Sequence, residues 1–242
     1  MWLRLRLRAA TLTNSTRATF EVVVLGGGPA GCAAATLLAR RSHRVALVVP
    51  DRPPAGALAE SVPPSARRIL EELGFLEAVR NAGLHPNRGN TVWWADGEPR
   101  VEAFAEDRIG VHTDRARLEQ TLVPAAEASG AHVMRGVSAR EADETEAGWV
   151  VRCVTADGRT IEVEAEWIVD ATGRHGLLAR RERLPDRATT TVALVRRFRR
   201  TGGWNDTFAG HTLVESYPDG WAWSLPIADD VRCFTAMVDQ RE

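Results

Sequence analysis

With 242 residues, 44% hydrophobic and 26% charged, the chain has the material for one large globular unit or two unequal ones, and global disorder is excluded. A formal net charge of −1 gives no broad pull toward nucleic acid or anionic membrane. No apolar run approaches the roughly 18 residues a membrane span requires.

Three cysteines, Cys32, Cys153 and Cys233, are widely spaced and odd in number, which argues against a disulfide framework or a zinc site and fits a reducing cytoplasm. No H-E-x-x-H or G-x-S-x-G occurs, so neither a zinc hydrolase nor an α/β-hydrolase is signalled. Lysine is absent, and every cationic side chain is arginine.

Residues 1–19 read as an N-terminal extension. They carry four arginines and no acidic residue but lack the apolar segment of a secretory signal, so a transit-type leader and a frayed extension are both open readings. From Phe20 to Leu25, "FEVVVL" predicts a strand buried on both faces that stops at three glycines. A helix is expected from Ala30 to Arg41, and "RVALVV", Arg44 to Val49, is a second buried strand, completing a βαβ unit. "ESVPPSARRILEELG" predicts a helix with prolines in its first turn and Gly74 at its end. A further helix is expected to start at Thr113 or Asp114 and to be kinked or ended by Pro124. "WVVRCVTADGRTIEVEAEWIVDATG" reads as three strands, with a tight turn at Asp157-Gly158. After Thr189 the pattern is again that of strands, and "RRFRR", Arg196 to Arg200, reads as an exposed strand end. The expected division is a nucleotide-binding domain over 20–184 and part of a second, antiparallel-sheet domain over 185–242.

The chemistry starts at "GGGPAG". Gly26, Gly28 and Gly31 have G-x-G-x-x-G spacing between a strand and a helix: Gly26 for the tight turn, Gly28 for approach of a pyrophosphate, Gly31 for close packing of helix on strand. Pro29 and Ala30 open the helix, whose terminal N–H groups can hold phosphate. A ribose-binding acid is expected near the end of the second strand. That place falls on Val49, so Asp51 is the candidate, against the alternative that it is only a turn residue. In "GWAWSLPI", Trp221 and Trp223 share one face of an extended strand and Pro226 the other; core packing and a ligand wall are both open readings. "NTVWWADGEP", with Trp93 and Trp94, reads as a pocket wall or a surface hairpin.

Taken in order, "VVVLGGGPAG", "ESVPPSARRILEELG", "DRARLEQTL" and "IVDATGR" resemble the flavin monooxygenases of the para-hydroxybenzoate hydroxylase class, together with flavin-dependent halogenases and geranylgeranyl reductases. The resemblance runs from Phe20 to Asp239 and implies an α/β fold: a Rossmann-like FAD-binding domain with a parallel sheet and antiparallel meander, followed by the start of a substrate domain. It implies FAD on the glycine turn, Arg115 near the cofactor, Asp170 to Gly173 packed against the first turn, and Glu60 and Ser61 beside the flavin ring, although a helix-cap role for that pair stays open. The tryptophan segment resembles the W-x-W-x-I-P run of the halogenases and would lie between flavin and substrate. Halogenation as that family performs it passes hypohalous acid to a lysine, and this chain has none. The resemblance therefore implies an aromatic hydroxylase working through a flavin C4a-hydroperoxide on a small or peptidyl aromatic, indole or tryptophan included. Electrons would come from NAD(P)H or a partner flavin reductase. An alkene reductase of the geranylgeranyl type and an inactive flavin-domain fragment are the alternatives. A later G-D motif and long helix of these enzymes do not occur before the chain stops at "MVDQRE", so a partial chain is expected.

Overall fold

The computed structural model describes residues 17–51, 58–95, 97–108, 110–182, 184, 191–204 and 207–239. Of the N-terminal extension, residues 1–16 lie outside them. In chain order, β1 (Arg17–Leu25), α1 (Pro29–Ala39) and β2 (Val45–Val49) form the βαβ unit. Next come β3 (Ala59–Val62), α2 (Arg67–Glu72), α3 (Leu76–Asn81), β4 (His85–Asn87), β5 (Gly89–Trp93) and β6 (Arg100–Ala103). β7 (Gly110–Asp114) leads into α4 (Arg115–Ala128), followed by β8 (His132–Arg135), β9 (Val137–Thr145), β10 (Gly148–Thr155) and β11 (Thr160–Asp170). β12 (Thr191–Arg199), β13 (His211–Tyr217), β14 (Gly220–Ala228) and β15 (Val231–Asp239) end the described chain.

These strands make three sheets. The first runs β8-β2-β1-β11-β10-β9, with β8, β2, β1 and β11 parallel and β11, β10 and β9 an antiparallel meander. Its central strands are buried on both faces: Val22 and Val24 pack with α1 and α4, while Val23 and Leu25 pack with Val151, Cys153 and Val163 on the opposite side. Hence the near-continuous apolar run of β1. The second sheet runs β12-β15-β14-β13-β5-β6, antiparallel except where β13 meets β5. The third is the small antiparallel sheet β3-β7-β4.

Four local expectations differ from the observed elements. The segment read as three strands is two, because parallel pairing with β1 from Glu162 to Asp170 holds the second half straight as one strand. β1 begins at Arg17, since the same pairing extends it backward. Pro124 does not end α4, which continues to Ala128 with the proline inside it; the proline is exposed, so the carbonyl it leaves unpaired can face water. Glu60 and Ser61 lie within β3 and cap no helix. The second sheet also takes β5 and β6 from inside residues 20–184, so it is not built from the C-terminal stretch alone.

Candidate functional site

The glycine turn is built by close packing. Gly26 has φ +110°, and a Cβ there would lie 2.5 Å from the carbonyl oxygen of Ala171, in the D-A-T-G turn after β11. A Cβ at Gly31 would overlap the carbonyl oxygen of Gly26. Gly28 differs. Its Cβ would meet only side-chain ends, Arg115 Nη2 at 2.9 Å and Glu119 Oε1 at 3.7 Å, and no backbone. It is the N-cap of α1 with φ −74° and ψ 176° and no side-chain cap, followed by Pro29, which has no N–H to leave unpaired. No acidic residue of α1 itself occupies its first turn, and the carboxylate nearest its N-cap, Glu119, is paired with Arg115. A bare main-chain cradle with an arginine over it fits a dinucleotide diphosphate.

Arg115 is the first residue of α4, held there because Asp114 caps the helix through the N–H of Arg117 at 2.8 Å. Its guanidinium donates to Glu60 Oε1 at 3.0 Å and Glu119 Oε1 at 2.8 Å. Burial works against its charge, but these hydrogen bonds outweigh it and raise its pKa. Asp114 also pairs with Arg197 of β12 at 3.7 Å, tying the second sheet to the start of α4. The only sequence signal for Glu119 is its place four residues after Arg115 on the same helix face.

Asp170 accepts from the Thr172 N–H at 3.0 Å, the Thr172 hydroxyl at 2.5 Å and the Leu178 N–H at 2.8 Å. Burial would raise its pKa, but these bonds and one from Ala179 N–H hold it below the usual value. Its carboxylate thus shapes the turn that presses Ala171 on Gly26, and Gly173, exposed with φ +65°, lies in that same turn. At the end of β2, the Val49 methyls lie 2.8 and 2.9 Å from where a Gly27 Cβ would be, filling that side of the loop. Asp51 is exposed beside Gly136. Cys32, bonded to the Gly27 carbonyl at 3.3 Å, has its thiol pushed up to about 12, first by burial and then by Glu119.

Along β14 the two faces divide as its period of two requires. Trp223, Leu225 and Ile227 pack with Ala59 of β3, Cys233 and Val195, placing Trp223 in the cluster that joins β14 to β3. Trp221, nearer the turn at Gly220, pairs across to Ser216 and Met237. Pro226 is buried and lines a separate cavity of about 640 Å³ with His85, Arg88 and Trp204. Trp93 meets Phe208 edge-on at 6.0 Å, and Trp94 is 57% exposed next to the turn joining β5 and β6.

Between the small sheet and β13 runs a polar seam with no sequence signal: Ser61, Asn87, His112 and Thr212, with Thr91, His211 and Arg232 further along. Burial, then His85, Arg232 and His211, push the His112 pKa down to about 3. Among the described residues no helix is long and apolar enough to cross a membrane.

A parallel-stranded βαβ unit with an open glycine turn, an arginine over it and an antiparallel second sheet defines a dinucleotide-binding α/β fold of the flavoprotein kind. Residues 19–198 match the FAD binding domain family, and the chain belongs to that family. It is 30% identical over 233 residues to the tryptophan 2-halogenase of Chondromyces crocatus, covering 91% of this chain and 43% of that protein. Among solved structures it is similar to the myxobacterial chondrochloren halogenase CndH (TM-score 0.77, 25% identity, 92% of this chain and 53% of that one). It is also similar to the peptidyl tryptophan dihydroxylase QhpG, essential for tryptophylquinone cofactor biogenesis (TM-score 0.69, 28% identity, 92% and 46%). The chain thus spans about half the length of the relatives it matches.

Proposed function

We propose that the chain carries the FAD site of a monooxygenase that hydroxylates an aromatic substrate, indole or tryptophan, free or within a peptide. The main-chain amides of Gly28, Ala30 and Gly31 and the guanidinium of Arg115 hold the diphosphate, and Asp51 takes the ribose hydroxyl in place of Val49. Asp170 and Gly173 support the turn from behind, through Ala171. Trp221 and Trp223 form the apolar wall that keeps water from the reacting face; Pro226 shapes the same strand from its other side. Reduced FAD, when bound, supplies the activation of dioxygen. Electrons come from NAD(P)H or a partner flavin reductase. Three free thiols support a reducing, cytoplasmic setting.

One observation favours hydroxylation over halogenation: no lysine occurs in the 242 residues, and a guanidinium, always protonated, cannot serve as the amine that carries an activated halogen. Likeness to QhpG supports the reading. Similarity to the tryptophan 2-halogenase and to CndH favours the second reading, halogenation by a route without lysine. Incubating the protein with FAD, a flavin reductase, NADH, bromide and tryptophan-containing peptides separates them by mass spectrometry. Addition of one oxygen supports hydroxylation; replacement of hydrogen by bromine sinks it. Turnover of an alkene without oxygen uptake would favour a reductase instead.

A further inference from the structure

Hydrogen-bond directions along the buried seam can be assigned from its ends. Asn87, fully buried, accepts from the Gly89 N–H through Oδ1 at 3.0 Å; a main-chain N–H can only donate, so the amide orientation is fixed. Its Nδ2 must then donate to Ser61 Oγ, 3.0 Å away. His112 is also fully buried. Its Nε2 lies 2.9 Å from Thr212 Oγ1, and among the described residues its Nδ1 has no hydrogen-bond partner. A proton on Nδ1 would be an orphaned buried N–H, which is rarer than an unused acceptor, so the proton sits on Nε2 and is donated to Thr212. The Thr212 hydroxyl then donates its own O–H to Ser61 Oγ at 3.2 Å. Ser61 thus accepts from two donors, and among the described residues of the seam its own proton has no recipient. The side of the imidazole is covered by His85, stacked at 6.3 Å and 16°.

Ser61 is partly exposed and follows Glu60, whose carboxylate is joined through Arg115 to the mouth of the glycine turn. We propose that His112, acting through Thr212, fixes the Ser61 hydroxyl as a hydrogen-bond donor toward a ligand lying along β3, the acceptor being a carbonyl oxygen or ring nitrogen. The identity of that ligand as the flavin ring rests on the function proposed above. His112 is then a positioning residue, and Ser61 is the group that touches the ligand. The neutral ring that this requires agrees with the burial and the positive neighbours, Arg232 foremost among the permanent charges, that oppose its protonation.

Two measurements on the full chain test this. Long-range proton–nitrogen NMR of histidine-labelled protein without FAD reads the tautomer: a neutral Nε2–H ring at pH 7 is expected, and an Nδ1–H or doubly protonated ring overturns the proposal. FAD titration by fluorescence quenching then compares variants. Ser61→Ala and His112→Leu should each weaken binding about five-fold, the loss of one net hydrogen bond. The double variant should lose no more than either alone, whereas a merely structural His112 would give additive losses. His112→Gln, which keeps an N–H donor toward Thr212, should retain wild-type affinity. Wild-type affinity in Ser61→Ala sinks the proposal even if His112→Leu fails to fold. A wild-type chain that binds no FAD sinks the flavin reading, while the NMR result still decides the direction of the seam.

Discussion

Replacing Gly28 and Gly31 separately by alanine should divide folding from cofactor binding. At Gly28 the new methyl meets only the ends of Arg115 and Glu119, and the backbone, φ −74° and ψ 176°, suits alanine. Removing glycine stabilises by about 0.4–1 kcal/mol through the unfolded chain, while alanine is a poorer N-cap by a similar amount, so the two offset. At Gly31 the methyl runs into the Gly26 carbonyl oxygen, and neither helix nor strand can yield without moving the turn. Overpacking against backbone costs about 3 kcal/mol, near 6–12 °C in Tm for a chain of this size. The order reverses for binding. A methyl at Gly28 stands where a phosphate oxygen must approach the amides, and losing two charge-assisted hydrogen bonds of about 1.5–3 kcal/mol each weakens FAD by at least about 100-fold. Thermal melts and FAD titrations of the two variants read both quantities. A Gly28→Ala chain that binds FAD like wild type would show that the diphosphate does not lie on this turn.

Glu119→Gln removes one of the two carboxylates that hold Arg115 in the flavin-free chain, so Arg115 becomes freer to pair with phosphate. FAD affinity, followed by fluorescence quenching, should rise, and an unchanged or weaker Kd would show that Glu119 orients the guanidinium instead of competing for it. Stability should fall between pH 7 and 5. The unfolded His112 takes up a proton below its usual value near 6.5, whereas the folded ring resists until about 3, so the contribution is fully present above 6.5 and is lost as pH falls. Urea melts of wild type and His112→Gln should differ in this drop by about 2 kcal/mol, from about 1.4 kcal/mol per pH unit for one proton. His85 and His211, also lowered by burial, deepen the drop in both proteins alike. Cys32, Cys153 and Cys233 are buried thiols with raised pKa values; a thiol reagent at pH 8 should label none in the native chain and all three in urea, and rapid native labelling of Cys32 would mean that the glycine turn opens.

What the sequence made legible was local. "FEVVVLGGGPAG" contains its own strand, turn and helix start, because burial on both faces, the glycines and Pro29 act within a few residues of one another. Asp114 as a cap and Arg115 beside it followed from the same short-range rules. Glu60 and Ser61 could not be resolved that way, since a short polar pair before two prolines suits a cap and a strand equally. Pairing of β3 with β7 decides it, and the strand's alternation then sends Glu60 to Arg115 and Ser61 to Thr212.

The seam itself was beyond reach of any spacing rule. Ser61 and Thr212 lie 151 residues apart, and their contact exists only because β13 pairs in parallel with β5, which draws the middle of the chain into the second sheet. That crossing also explains why Trp223 packs in the cluster of Ala59, the chain neighbour of Glu60. β3 shows Ala59 to the face of β14 that carries Trp223 and Leu225, and Glu60 to the arginine over the glycine turn. One four-residue strand therefore sets the distance between the phosphate cradle and the tryptophan face. On the proposed reading, substrate access, cofactor grip and the Ser61 proton would be coupled through it, so a change in β3 should disturb all three together, whereas Gly28→Ala, at the N-cap of α1, should disturb only the grip.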